Sequence, residues 1–248
     1  MRVRLLSYNI RFGGIGREEL LSRVINSCEP DVVILQEAIH PDVVKRLAIA
    51  CKMKEWGSRR GHSLGFLSRI EIRSHEWHHA RFAKRAYLEL QLPQSGMRIF
   101  GVHLAAIHSN ITEHRRVYEL KSLLQDILAQ HPGFHVIVGD FNTLAPGERL
   151  DLAKLPLRLR ALAWLCGGSV RWRTIQLMLD GGYTDGFKQI HPRDPGLTFP
   201  TTDPHVRLDY LFIPTSHAAA LERCEVVRHP AAAQASDHFP LLCEISAA

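Results

Sequence analysis

The sequence predicts a mixed α/β fold, because strand-like segments recur along its 248 residues and helical patterns separate several of them. Residues 86–104 contain two strand-like segments in succession, whereas strands and helices alternate elsewhere. A chain of this length suits one large domain. Since neither a repeat nor a low-complexity linker divides it, we expect a single domain over residues 1–248.

The strands are predicted by short runs of aliphatic, β-branched and aromatic residues between turn residues. In chain order they are Val3–Asn9, Val32–Gln36, Leu64–Ser68, Ala86–Leu92, Arg98–Leu104, Phe134–Gly139, Arg207–Ile213, Glu222–Val227 and Pro240–Ile245. Apolar residues at helical spacing predict three helices between them. These are Arg17–Cys28, which ends before Pro30, Pro41–Cys51, which starts with proline, and Asn110–Gln130.

Residues 148–180 form a basic segment rich in leucine and tryptophan, and we expect this 148–180 segment to be an insertion within the domain. Leucine at helical spacing favours a pair of packing helices whose arginines face solvent. The alternatives are a basic, aromatic cover over a substrate entrance and a surface that touches a membrane.

The composition is that of a globular protein, with 46% hydrophobic and 23% charged residues. A formal net charge of +6 favours polyanionic partners such as nucleic acid or an anionic membrane surface, although many proteins carry such a charge without such a partner. The N-terminal sequence MRVRLLSYNIRF lacks the features of a signal peptide, and no apolar run approaches the roughly 18 residues of a membrane span. We therefore expect a cytoplasmic protein, by default a monomer.

The five cysteines show no C-x-x-C spacing, and their number is odd. Buried free thiols in a reducing compartment are the simplest interpretation. Zinc bound by cysteines is not expected.

Polar residues occur at the ends of several apolar strands. They are Asn9, Gln36, Glu37, His103, Asp140, Asn142, Asp209, Asp237 and His238. Asp140 and Asn142 follow the run VIVG two positions apart, and strand side chains alternate faces, so we expect the two to project together. Buried polar groups are unfavourable without partners, so this arrangement indicates a ligand.

The residue types predict metal-assisted hydrolysis of a phosphoester. Oxygen ligands without paired cysteines favour Mg²⁺, with Mn²⁺ as the alternative, over zinc, and Glu37, Asn9 and Asp237 are the candidate ligands. A histidine paired with a carboxylate can orient or deprotonate a water molecule. Several carboxylates close together would also repel one another without a cation.

Six motifs in order, SYNIRFG, ILQE, GVHL, GDFNT, RLDYLFI and SDHFPL, resemble the endonuclease/exonuclease/phosphatase superfamily, over Leu5–Leu241. This superfamily includes DNase I-like nucleases, abasic-site nucleases, neutral sphingomyelinases and inositol-polyphosphate 5-phosphatases. The resemblance implies a four-layer α/β sandwich, in which two packed mixed β-sheets are flanked by helices.

The resemblance also implies roles for individual residues. Glu37 resembles the principal metal ligand, with Asn9 close to metal and phosphate, and Asp237 completing the metal site. His238 would contact the scissile phosphate or activate water, and Asp209 would orient it. Asp140 would position the nucleophile or assist proton transfer at the leaving group, and Asn142 would donate to a phosphate oxygen.

Three further residues are candidates for binding phosphate. His103 could supply a hydrogen-bond donor to the transition state. Arg11 and Arg69 could contact phosphate, although surface salt bridges are an equally good explanation for both. The histidines of HEWHH (residues 75–79) lack the H-E-x-x-H arrangement, so we expect exposed histidines on a loop or strand.

We expect a phosphodiesterase, and the basic charge together with the tryptophans of the 148–180 segment favours a nuclease acting on DNA or RNA. The segment GVHL resembles the T-H-L form of sphingomyelinases, which favours a lipid or small-molecule phosphodiester instead. A phosphomonoesterase is a third possibility. A non-catalytic binding protein of this fold would need to have lost Glu37, Asp140, Asp209 or His238, and all four are present.

Overall fold

The computed structural model of the chain describes residues 2–79, 86–93, 96–106, 109–130, 133–148 and 172–246. Twelve strands within these ranges form two sheets of six. Sheet A contains β1 (Arg2–Asn9), β2 (Val32–Gln36), β3 (Glu55–Ser58), β4 (Leu64–Ser68), β11 (Leu221–Val226) and β12 (Leu241–Ser246), in the order β11-β12-β1-β2-β4-β3. Sheet B contains β5 (Ser74–His79), β6 (Ala86–Gln91), β7 (Arg98–His103), β8 (His135–Asp140), β9 (Tyr183–Asp185) and β10 (Asp209–Pro214), in the order β5-β6-β7-β8-β10-β9.

Both sheets are mixed, and in each the parallel pair places polar strand ends side by side. Strand β1 is parallel to β2, so Asn9 is paired with Gln36. Strand β7 is parallel to β8, so His103 is paired with Asp140. Strand β10 runs antiparallel to β8 and begins with Asp209 opposite Asp140. The carboxyl ends of four strands and the start of β10 therefore carry the polar residues.

Alternation along each strand builds the layers, because neighbouring residues point to opposite faces. In sheet A, Leu5 and Ile34 belong to the core between the sheets, whereas the adjacent Leu6 packs in a second core. In sheet B, Val136 belongs to the core between the sheets, and Ile137 packs in a third core. The predicted architecture of two mixed sheets packed together and flanked by helices is thus confirmed.

Six α-helices in the described residues pack against the two sheets, and the fifth places Phe187 in the core between them. The six helices are α1 (Glu18–Cys28), α2 (Pro41–Ala50), α3 (Asn110–Gln130), α4 (Thr174–Asp180), α5 (Gly186–Ile190) and α6 (Ala232–Ala235). Side chains of α1 and α2 pack with those of β1 and β2 in the second core. Side chains of α3 and α4 pack with those of β7 and β8 in the third core.

The nine predicted strands and three predicted helices are all present, with ends shifted by at most two residues. Strands β3, β5 and β9 were not predicted, because the sequences EWGS, SHEWHH and YTD lack apolar runs. The helices after residue 173 were not predicted individually because they have at most seven residues each.

Most of the 148–180 segment, residues 149–171, lies outside the described residues. Its described end forms helix α4, which buries Ile175 and Met178, while Trp172 packs against a small cluster that includes Leu144 and Val206. The choice between packing helices and a cover or membrane-touching surface falls on the residues outside the described ranges and stays a prediction. That 1–248 is one domain stays a prediction.

Four of the five cysteines lie in described residues, and all four are buried free thiols, as expected. Among the described residues, no helix combines the length and the apolar composition needed to cross a bilayer.

Candidate active site

Asp140 lies at the centre of the site, at the end of strand β8 and 1% exposed. The residue before it, Gly139, has φ of 148°. A Cβ atom there would lie 2.0 Å from the carbonyl oxygen of Val102, so only glycine lets β7 and β8 approach this closely. Glycine thus permits the backbone geometry that delivers Asp140 to the strand end.

Two asparagines hold the Asp140 carboxylate. Asn9 Nδ2 donates to Oδ2 over 3.1 Å, and Asn142 Nδ2 donates to the same oxygen over 3.0 Å. The Asn142 backbone N–H donates to Oδ1 over 2.9 Å. Asn142 has φ of 52°, beyond the strand end, so a left-handed turn brings the two side chains together. The prediction that they lie close is right, but strand alternation is the wrong reason.

His238 and Asp209 form a buried pair beside Asp140. His238 Nδ1 lies 2.9 Å from Asp209 Oδ2, while Nε2 lies 3.9 Å from Asp140 Oδ2. The hydroxyl of Ser236 donates to the Asn9 carbonyl oxygen over 2.6 Å, which ties the SDH segment to the end of β1. His103 Nε2 approaches Asp140 Oδ2 to 3.7 Å from the other side.

Burial and neighbouring charges shift the pKa values of both groups. Burial lowers the pKa of His238, but Asp209 and Asp140 outweigh it and raise that pKa to about 10. Burial raises the pKa of Asp140 to about 7, against the opposing effect of His238. The site therefore favours the protonated form of His238 and holds the pKa of Asp140 above that of a free carboxyl.

Glu37 follows strand β2 with φ of 58° and lies next to this cluster. Its Oε2 accepts from the Phe12 backbone N–H over 2.5 Å, and its Oε1 lies 3.4 Å from Asn9 Nδ2. The Asn9 amide group thus joins Glu37 to Asp140. The other amide atom, Oδ1, accepts from the Arg11 backbone N–H over 3.0 Å, so Asn9 acts as a donor to both carboxylates in this structure.

The site contains groups that could hold a metal ion. Asp140, Asp209 and His238 each offer one ligand atom, and these atoms lie within 4.8 Å of one another. Asp209 Oδ1 is buried and has no hydrogen-bond partner among the described residues. Together with Glu37 the donors are mostly carboxylate oxygens, which suit Mg²⁺ or Mn²⁺.

Asp237 and Arg11 lie at the rim of the site. Arg11 Nε is 3.4 Å from Asp237 Oδ2, and the side chains are 48% and 31% exposed. Asp237 also accepts a weak hydrogen bond from the Ser236 hydroxyl, at 3.5 Å. Its carboxylate therefore faces Arg11, and metal binding by Asp237 would require that ion pair to open.

The prediction for Arg69 is corrected by the direction of strand β4. Because β4 runs antiparallel to β2, Leu64 pairs with Gln36 and Ser68 pairs with Val32. Arg69 follows Ser68 and so lies at the opposite end of β2 from Glu37, about five residues or roughly 17 Å away. It lines a separate cavity of about 450 Å³ that also contacts Asn26.

A cavity of about 570 Å³ adjoins the site and was not predicted. Its lining includes His62, Ser63, Trp77, His79 and Arg115. The Ala38 backbone N–H donates to the Ser63 carbonyl oxygen over 2.9 Å, so the cavity begins one residue from Glu37. His79 belongs to HEWHH, which forms β5 rather than a loop, and the other lining residues carry no local motif.

Arg59 extends the basic surface beside this cavity. Its guanidinium lies 4.5 Å from the centre of the Trp77 ring. The indole nitrogen of Trp77 donates to the Leu64 carbonyl oxygen over 3.0 Å, which fixes the ring.

Comparison with known proteins gives one family and one fold. The model of the Endonuclease/Exonuclease/phosphatase family matches residues 6–238. No curated protein sequence matches the chain.

Solved structures that resemble this one include three nucleic-acid enzymes. The 3′ phosphatase NExo from Neisseria, bound to a product DNA hairpin, has a TM-score of 0.72 and 20% identity over 98% of this chain and 99% of that one. An AP endonuclease from Archaeoglobus fulgidus has a TM-score of 0.72 and 17% identity over 97% and 98%. TDP2 from D. rerio, complexed with a single-strand DNA product, has a TM-score of 0.66 and 19% identity over 98% of both chains.

Proposed function

The chain belongs to the Endonuclease/Exonuclease/phosphatase family, and we propose that it is a divalent-metal-dependent phosphodiesterase acting on nucleic acid. The observation that carries this proposal is the buried Asp140–Asp209–His238 cluster, which the Asn9 amide group joins to Glu37. Phosphoester hydrolysis can use a protonated histidine, a carboxyl with a raised pKa and an oxygen-rich ligand set, and this site contains all three.

Glu37 would hold the ion, and Asp140 is joined to Glu37 by the Asn9 amide group, which donates to both carboxylates. A bound divalent ion would neutralise charge that develops on the phosphate. Asp209 and His238 offer further ligand atoms, but their mutual hydrogen bond favours a role for His238 toward substrate. Asp237 is a weaker candidate because it is paired with Arg11.

His238 would donate a hydrogen bond from Nε2 to a phosphate oxygen, because Asp209 occupies Nδ1 and the raised pKa keeps the ring protonated. Asp140, with a pKa of about 7, would accept a proton from the attacking water or return one to the leaving group. His103 would act as a second donor near Asp140.

Asn142 would orient Asp140 in the free protein. Its Nδ2 donates both to Asp140 Oδ2 and to the Leu104 carbonyl oxygen, over 3.0 and 3.2 Å. Both N–H bonds of this amide are therefore used, and donation to a phosphate oxygen would require one of them to be exchanged. Arg11 remains a candidate for phosphate contact at the rim.

Nucleic acid is favoured by charge and by the surroundings of the site. The formal net charge is +6, and Arg11, Arg59 and Arg115 lie around the site and its adjoining cavity. The similar solved structures include proteins bound to DNA products. One of them is named a 3′ phosphatase, which makes a terminal phosphomonoester of nucleic acid the second candidate substrate.

The test is hydrolysis of a substrate panel in Mg²⁺, Mn²⁺ and EDTA. The panel comprises plasmid, single-stranded and abasic DNA, RNA, a 3′-phosphorylated oligonucleotide, sphingomyelin and phosphoinositides. We expect cleavage of nucleic acid, loss in EDTA and recovery with Mg²⁺ or Mn²⁺. Activity that persists in EDTA would contradict the metal proposal, and turnover confined to lipids would contradict the nucleic-acid proposal.

Glu37→Gln tests the role of Glu37 as a metal ligand, because the substitution keeps the shape of the side chain and removes its charge. We expect the turnover number to fall about 100-fold or more. Glu76→Gln on β5 removes an exposed carboxylate that is 70% accessible and serves as the control. Wild-type turnover by Glu37→Gln would refute the assignment of Glu37.

A further inference from the structure

Phe12 is an exposed aromatic residue bound directly to the proposed metal ligand. Its side chain is 70% exposed, and its backbone N–H donates to Glu37 Oε2 over 2.5 Å. Its side chain thus presents apolar surface next to Glu37.

The backbone under Phe12 adopts a conformation that aromatic residues avoid. Residues 11–14 all have positive φ, of 50°, 46°, 73° and 71° in turn. Glycine tolerates this region at positions 13 and 14, but Arg11 and Phe12 do not favour it. Because the Phe12 side chain lies in solvent, burial of its ring does not offset this strain. Strain of this kind occurs at functional sites, where the surrounding structure holds it in place.

Contacts with the rest of the protein hold the backbone of the turn at residues 11–14. The guanidinium of Arg17 donates to the carbonyl oxygens of Ile10, Arg11 and Ala235. Gly13 lies against His40, whose ring atom Cδ2 would be 2.3 Å from a Cβ at that position. These contacts fix the backbone of the turn, and the turn holds Phe12 in an exposed position next to Glu37.

We propose that the Phe12 ring stacks on an unpaired nucleobase next to the scissile phosphate, and that Phe12 thereby selects single-stranded or frayed nucleic acid. This rests on the proposed function. Arg11 lies beside the ring, with its guanidinium carbon 5.6 Å from the ring centre, and its positive charge favours the adjoining phosphate. Base stacking on an aromatic side chain accepts any base and is a common means of binding single strands.

The experiment compares three variants on a single-stranded oligodeoxynucleotide that carries one 2-aminopurine. Phe12→Trp keeps an aromatic face, Phe12→Leu keeps apolar character without one, and Phe12→Gly removes the side chain and relieves the backbone. We expect the KM of Phe12→Leu and Phe12→Gly to rise about 10-fold with kcat nearly unchanged, and Phe12→Trp to resemble wild type. Quenching of 2-aminopurine fluorescence on binding should be present only in the wild type and Phe12→Trp.

Thermal unfolding separates a role in binding from a role in folding. Phe12→Gly should unfold at a higher temperature than the wild type, because glycine accepts the left-handed backbone, while its KM is worse. Ile49→Ala, at a 69% exposed position on α2, is the control and should change neither KM nor quenching.

The outcomes distinguish this proposal from the proposed function. If the wild type cleaves the oligonucleotide and Phe12→Gly has an unchanged KM, stacking is refuted while the nuclease function stands. If Phe12→Leu retains full quenching and the wild-type KM, stacking is refuted and an apolar contact is sufficient. If Phe12 instead controls binding to phosphatidylcholine vesicles, stacking is also refuted. If the wild type binds with Phe12-dependent quenching but does not hydrolyse nucleic acid, stacking stands and the proposed function fails.

Discussion

At the residue scale, Asp140, Asp209 and His238 form a coupled set in which position decides the protonation state. Asp209 hydrogen-bonds His238 and raises its pKa, whereas burial raises the pKa of Asp140. Both pKa values are thus raised, and a carboxyl with a raised pKa beside a histidine that stays protonated is typical of sites of general acid–base catalysis. We infer that Asp209 acts through His238 and is a positioning residue.

Asp209→Asn tests this inference. The variant removes the charge that holds the proton on His238, so we expect the pKa of His238 to fall below about 10 and the alkaline limb of the pH–rate profile to move to lower pH. We expect kcat to fall about 100-fold. NMR titration of the His238 ring measures the pKa directly.

Asp203→Asn is the matched control, since Asp203 is an exposed carboxylate that also pairs with a histidine, lying 3.7 Å from His205. It should change neither the profile nor kcat. An unchanged His238 pKa in Asp209→Asn would contradict the positioning role.

At the element scale, helix α3 is joined to the segments after β8 and before α4 by one buried carboxylate. Glu113 Oε2 accepts from Thr143 Oγ1 and Arg116 Nε over 2.9 and 3.0 Å. Its Oε1 accepts from the backbone N–H groups of Arg173 and Thr174 over 2.6 and 2.7 Å. Thr143 follows Asn142, so this carboxylate supports the turn that orients Asp140.

Glu113→Ala should strongly destabilise the protein. The change removes the Glu113 carboxylate from the fully buried Arg116, and it removes the acceptor of several N–H and O–H groups. Removing one partner of a buried ion pair reduces the free energy of unfolding by about 3–5 kcal/mol. Urea denaturation measures this, with Glu19→Gln as the control because Glu19 forms an exposed pair with Arg23 on α1. A loss for Glu113→Ala as small as that of the control would show that the network contributes little.

The lowered pKa of Glu113 predicts that the stability of the protein depends on pH in the acid range. Burial raises the pKa of Glu113. Arg116 and the N–H groups of Arg173 and Thr174 lower this pKa by a larger amount, so the net shift is downward. A group whose folded pKa is lowered stabilises the fold above its unfolded pKa, and this contribution is lost as pH falls through the folded pKa. We expect the stability difference between wild type and Glu113→Gln to shrink on acidification, as urea titrations at several pH values would measure. A difference independent of pH in the acid range would contradict this.

Which elements the sequence predicts depends on how much of each is apolar. Strands such as Val32–Gln36 are fully buried and were predicted within a residue or two. Strand β5 has the sequence SHEWHH and only one buried residue, so no apolar pattern predicts it. Arg69 illustrates another limit, because the strand ends alone do not say which way β4 runs relative to β2.

At the scale of the whole molecule, the site is assembled from residues far apart in sequence. Asn9 and Asp140 are 131 positions apart and share a hydrogen bond. Such polar residues were recognisable because each ends an apolar strand and matches a family motif. The adjoining cavity was not recognisable, since His62, His79 and Arg115 come from separate elements without a shared pattern.

The positive charge of the molecule leads to a prediction about salt. If three phosphates of a single strand are neutralised on binding, the slope of log K against log salt is about −2, and affinity falls about 20-fold between roughly 50 and 200 mM salt. Arg59→Gln should make this slope shallower by about 0.7, because Arg59 lies beside the cavity over Trp77. Fluorescence anisotropy with a labelled oligodeoxynucleotide in Ca²⁺ measures it.

Arg23→Gln distinguishes local contact from overall charge. Arg23 is exposed on α1, and the substitution lowers the net charge by the same single unit as Arg59→Gln. If the strand passes over the cavity beside Glu37, only Arg59→Gln changes the slope, since exposed charges more than about 10 Å away are screened in physiological salt. Equal changes in both variants would mean that the net charge alone attracts nucleic acid, and the path of the strand over the cavity would be wrong.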